Sequence, residues 1–121
     1  MHKLVLFAST LVFLGGLLAL PLSAEAMDCP HPMDATISAL HDCVQHAADM
    51  GHITSAGITR SLLSKLDAAQ AAVDRNQPAV AVNILNAFIH EANAQSGRHI
   101  DPAHAEHMVM HAGMVIEALS S

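Results

Sequence analysis

The stretch GHITSAGITRSLLSKLDAA, residues 51–69, sets the pattern for the whole chain. Ile58, Leu62, Leu66 and Ala69, with Val73 beyond, recur every three or four residues, the spacing of one helix face. Thr54 stands just ahead as an N-cap, and Gly51 is placed to stop a preceding helix. Ile53, directly before the cap, is spaced to staple onto Ile58. A helix is therefore expected from after Thr54 to about Arg75.

Working outward, the same grammar repeats. Ile37, Leu40, Val44 and Ala47 form a stripe on a helix expected over Ala35 to Met50, with Asp34 as its N-cap. Asn76-Gln77-Pro78 breaks the chain, and Pro78 suits the first turn of a third helix. Its apolar face is Ile84, Leu85, Phe88, Ile89 and Ala92, ending near Ser96-Gly97. Asp101-Pro102 combines an N-cap with an N1 proline and opens a fourth helix. There Ala105, Val109, Ala112, Val115, Ile116 and Leu119 face inward, and Ile100 is spaced to staple towards Ala105. Four amphipathic segments joined by short connections predict an all-α, antiparallel up-and-down four-helix bundle made of two helical hairpins. A faint repeat supports the pairing: His52-Ile53-Thr54-Ser55-Ala56 and His99-Ile100-Asp101-Pro102-Ala103 each precede a helix, 47 residues apart.

Ahead of the bundle, residues 1–26 read as a signal peptide. Lys3 is followed by an uncharged apolar stretch from Leu4 to Leu20, a break at Pro21, and Ala24-Glu25-Ala26 as the cleavage site. Residues 27–34 are a Pro-rich lead-in, and residues 35–121 form the domain. The expected product is secreted or periplasmic, with no membrane attachment once the signal is cleaved.

Composition narrows the function. Without residues 1–26, four cations (Arg60, Lys65, Arg75 and Arg98) face ten carboxylates, a formal charge of 4 − 10 = −6. An acidic surface repels phosphate backbones, and Phe88 alone remains as an aromatic ring beside histidine, so nucleic acid is excluded as a partner. Nine histidines stay with the domain. They allow its charge to move towards positive around their ordinary pKa of about 6.5.

Residues 51–119 resemble the FIMAH domain, a small helical module appended to secreted bacterial hydrolases and surface proteins. The resemblance rests on Gly-x-Ile-x-x-x-Gly-Ile-x-x-Ser-Leu-Leu-x-Lys-Leu-Asp-x-Ala from Gly51 to Ala69, on Asn86-Ala-Phe-Ile89, on Gly97, and on the Ala/Ile pattern ending at Leu119. It implies a non-catalytic accessory module and transfers no site residues. This chain is expected to stand alone, whereas most relatives are attached to a larger enzyme.

Candidate chemistry concentrates on histidine, methionine and cysteine. His107, Met110, His111 and Met114 stand at i, i+3, i+4 and i+7 with His104 beside them, one expected ridge of the fourth helix. Thioethers favour Cu(I), and imidazoles accept Cu(II), zinc or nickel. His90 or His41 would complete such a site, and a solvated face with methionines at a contact is the plainer alternative. Cys29 and Cys43 are expected to form a disulfide in an exported chain. An alternative pairs Cys29-x-His31 with Cys43-x-x-His46 as a Cys2His2 zinc site. Asp42, His46 and Asp49 share a face of the first helix as a weaker cation cluster. No G-x-S-x-G, H-E-x-x-H or glycine-rich phosphate loop occurs. Cys43 beside His41 and His46 is the one conceivable nucleophile–base set, and a disulfide would remove it. The expected function is a non-enzymatic, exported helical interaction or accessory module, whose partner is a protein or a metal ion. The alternative is a His/Met-rich periplasmic or secreted buffer for copper, zinc or nickel.

Overall fold

The computed structural model describes Cys29 and residues 33–121, so the signal-peptide reading and His31 lie outside the described residues. Four helices follow one another: α1 (Ile37–Asp49), α2 (Ala56–Asp74), α3 (Pro78–Gln95) and α4 (Pro102–Ser120). They form an antiparallel up-and-down four-helix bundle in which α2 packs on α3, α3 on α4, and α1 on both α2 and α4. No described helix is long and apolar enough to cross a membrane.

The caps explain where each helix starts. Asp101 accepts from the His104 amide at 3.4 Å and Pro102 occupies the first turn of α4, as the sequence suggests. Two starts differ from expectation. α1 is capped by Thr36, whose Oγ1 accepts from Ala39 N at 3.1 Å, rather than by Asp34. α2 is capped by Ser55, whose Oγ accepts from Ile58 N at 3.3 Å, rather than by Thr54. The displaced residues are engaged elsewhere. Asp34 offers its carbonyl to a buried histidine, and Thr54 N donates to His99 O at 2.8 Å.

Two helix ends close in the left-handed conformation. Gly51 has φ +85°, with Gly51 N donating to Ala48 O at 3.1 Å and His52 N to Ala47 O at 2.8 Å. This is the Schellman pattern, and glycine takes it without a Cβ penalty. Asn76 ends α2 in the same way at φ 60°, one of the few side chains that tolerate it.

Leu40, Val44, Leu62, Leu66, Leu85, Phe88, Met108, Ala112 and Val115 form the buried centre with several alanines. Small residues at Ala69, Ala72, Ala81 and Ala92, all fully buried, let the helix axes approach closely. Phe88 is the largest fully buried side chain. Between α2 and α3 a polar link spans the surface: Lys65 Nζ reaches Glu91 Oε1 at 3.0 Å, and Ser61 Oγ donates to the same oxygen at 2.8 Å.

The faint repeat has a physical counterpart. Ile53 and Ile100 pair as an antiparallel bridge, flanked by Thr54 N to His99 O at 2.8 Å and Asp101 N to His52 O at 2.9 Å. The two interhelical loops at that end of the bundle are thereby tied to each other, and both isoleucines are buried. In urea unfolding, Phe88→Ala is expected to cost about 3–5 kcal/mol by opening a cavity at the centre. Ser55→Ala is expected to cost about 1 kcal/mol through loss of the cap.

Candidate functional site

α4 carries the histidine-rich segment, and its angular placement decides which side chains meet. At about 100° per residue, with His107 at zero, the buried residues Met108, Val115, Ala112 and Ala105 centre at about 80–160°. His111 lies about 40° towards them, whereas Met114 and Met110 lie about 20° and 60° the other way. The expected ridge is therefore split. His111 is wholly buried and His107 half-buried, while Met110 is 54% and Met114 36% exposed.

His111 and His107 turn towards α1 and the lead-in. Cys43, buried on α1, and Cys29, half-buried outside the helices, are joined as a disulfide beside them. His107 Nε2 lies 3.1 Å from Cys29 Sγ. One donor atom from each of Cys29, Cys43, His107 and His111 falls within 4.8 Å of all the others. The two imidazoles meet edge to face with centroids 6.4 Å apart.

His111 has a defined orientation. Its Nε2 lies 2.7 Å from the Asp34 carbonyl, which can only accept, so Nε2 carries the hydrogen. In the neutral ring the lone pair is then on Nδ1. That atom is buried and has no hydrogen-bond partner among the described residues. Leaving such a group unpaired costs about 1–3 kcal/mol.

His104 belongs to the tied loops instead. Its ring stacks on His52 with centroids 3.8 Å apart, and its Nδ1 lies 3.0 Å from Asp101 Oδ2. That hydrogen bond holds the Asp101 carboxyl below its ordinary range. His104 still reaches the rim of a narrow cleft shared with Cys29, Cys43, His46, His107 and Met108. The cleft holds about 10 Å³, roughly the room of one water-sized sphere.

The remaining candidates disperse. His41 on α1 faces Asp67 on α2 at 3.6 Å. Asp49 accepts from Gln45 at 3.1 Å, whereas His46 turns to the cleft, so the Asp42, His46 and Asp49 face does not converge. His90 is exposed on α3. Of the three histidines expected to hold metal, His107 and His111 enter the four-donor cluster and His104 does not. By sequence spacing the cysteine pair and the α4 histidines belong to separate sets. An up-and-down bundle makes its first and last helices neighbours, and that topology was the available signal joining them.

The family model for the FIMAH domain matches residues 37–117, from the start of α1 almost to the end of α4. The chain belongs to the FIMAH family. The match includes α1, which the resemblance read from residue 51 onward had left out. No curated protein and no solved structure matches the chain.

Two outcomes test this geometry. Reducing the Cys29–Cys43 bond, which closes a sequence separation of 14 residues, is expected to lower stability by up to about 3 kcal/mol in urea unfolding. For Asp101 the folded-state pKa is depressed, so its contribution is present above the ordinary aspartate value of about 3.9 and is lost as pH falls through the lower folded value. Asp101→Asn should therefore lower the melting temperature at pH 6, with the difference closing as the pH drops below that range.

Proposed function

We propose that this chain is a non-enzymatic, exported accessory module that acts by binding. The observation that carries the reading is the family match over residues 37–117, which reaches into all four helices. FIMAH domains occur in secreted bacterial proteins, in keeping with an exported chain that holds a disulfide. Within this reading the partner would dock at the loop-tied end. A shallow cleft of about 290 Å³ there is lined by His52, Thr54, Arg98, His99 and Asp101. Its polar groups project from loops fixed by the Ile53–Ile100 bridge, so binding there needs little ordering of the backbone. A fixed, open, mixed-charge surface suits a protein segment better than a small molecule, which favours enclosed and apolar pockets.

A copper, zinc or nickel buffer built on His104, His107, Met110, His111 and Met114 has less support. The two thioethers are turned out to solvent, away from the buried imidazole of His111.

Immobilised residues 27–121 should retain one exported protein saturably from the secreted or periplasmic fraction of the source cell. The Arg98→Glu/His99→Ala variant should weaken that retention at least tenfold while its helicity stays unchanged. Absence of any saturable partner, or turnover of an ester, peptide, glycoside or phosphate substrate by the purified chain, would overturn the reading.

A further inference from the structure

The four donors Cys29, Cys43, His107 and His111 present a soft and borderline ligand set at one point of the bundle. They come from three separate parts of the chain: the lead-in, α1, and two successive turns of α4. We propose that reduction of the Cys29–Cys43 bond opens a Cys2His2 site for one zinc-class transition-metal ion at this point. The proposal goes beyond the accessory-module reading by naming a ligand for the chain.

Donor chemistry comes first. Two thiolates and two imidazoles form one of the ligand sets of structural zinc, and the same sulfurs accept Cu(I), whereas magnesium and calcium want oxygen. The second observation is His111. It is wholly buried, its Nε2 is held by the Asp34 carbonyl at 2.7 Å, and its Nδ1 has no partner among the described residues. A ligating histidine characteristically donates its other ring N–H to a carbonyl or carboxylate, which fixes the tautomer and aims the lone pair. Asp34 already makes that contact. His107 adds a nitrogen at 3.1 Å from Cys29 Sγ, so an imidazole and a sulfur donor already adjoin each other.

Size agrees with this reading. A tetrahedral zinc ion with bonds of about 2.0–2.3 Å sets its donors roughly 3.3–3.8 Å apart. The four donors now lie within 4.8 Å of one another, so the widest separations must close by about 1 Å. The two sulfurs, bonded in the disulfide, must part to about 3.8 Å once it is reduced. Cys29, which lies outside the helices, is the donor placed to adjust. A cleft of about 10 Å³ adjoins three of the four donors, Cys29, Cys43 and His107. An overall charge of −6 draws cations towards the surface.

The two states exclude each other because they use the same sulfurs. A dithiol reductant attacks the Cys29–Cys43 bond and leaves as its own disulfide. It delivers two electrons and two protons, so both cysteines become thiols. The metal ion then displaces those two protons to solvent as the thiolates bind it. Oxidation by a disulfide reverses the sequence and releases the ion. The bound metal would tie the lead-in to α1 and α4 where the disulfide tied it to α1 alone.

The test uses residues 27–121, reduced and held without oxygen, titrated with Co(II) as a spectroscopic stand-in and then with Zn(II). The expected result is one ion per chain, tetrahedral Co(II) absorption with a sulfur-to-metal charge-transfer band, and displacement of Co(II) by zinc. Zinc should raise the melting temperature of the reduced protein in a concentration-dependent way. Cys43→Ser and His107→Ala should each weaken binding at least 100-fold, and both are compared with reduced wild type for helicity. His107 is half-buried, so it reports on the imidazole ligands without the packing loss of His111. The oxidised protein should bind neither ion at the same concentrations. Arg98→Glu/His99→Ala should bind metal normally, so failure of the loop-end reading and failure of this one are told apart. Octahedral Co(II) without the sulfur band, equal binding by the oxidised protein, or no thermal shift with zinc would each overturn the proposal.

Discussion

Backbone groups in a connection between helices have to be satisfied without the helix to do it. Here two connections satisfy each other. Thr54 N and Asp101 N donate to His99 O and His52 O, and the intervening Ile53 and Ile100 are buried where the loops meet. This contact sets the register between the two hairpins, because it fixes the starts of α2 and α4 relative to each other. The stacked His52 and His104, the Asp101 cap and the placement of His107 one turn further on all follow from it. So does the site. His107 and His111 meet Cys43 only if α4 enters the bundle at a set height beside α1.

Much of this could be read in the chain. Ile58, Leu62, Leu66 and Ala69 gave the α2 face, Pro78 and Asp101-Pro102 gave two helix starts, and Gly51 gave a helix stop. These signals are local: each depends on a few neighbouring residues and on how one backbone conformation is favoured over another. The two misplaced caps show where locality ends. Thr54 and Asp34 are both good N-cap residues, yet each is drawn away by a partner distant in sequence, His99 for one and His111 for the other. Ser55 and Thr36 stood one and two residues further on and took over.

The cluster was legible in pieces. Cys29 with Cys43 and His107 with His111 are each legible as pairs, and what the sequence lacks is the link between the two pairs. The ridge of His107, Met110, His111 and Met114 is a true helical face. What spacing alone does not give is where the core begins on that face, and the boundary falls between His111 and Met114. A shift of some tens of degrees thus separates thioethers in solvent from an imidazole in the interior. Resolving it requires knowing that α1 lies against α4, which is a property of the bundle and not of either helix.

The two ends of the molecule are unequal. At one, the connections are stitched to each other through Ile53 and Ile100. At the other, α2 passes to α3 through Arg75, Asn76 and Gln77, all exposed, and the first residues of α3 are exposed as well. Change of length is therefore costly at the stitched end, where an added residue would pull two strands of contact out of alignment. At the Asn76 end an added residue disturbs a single turn. Insertions and fused reporters belong there, and the opposite end keeps the spacing on which the loop cleft and the cysteine–histidine cluster depend.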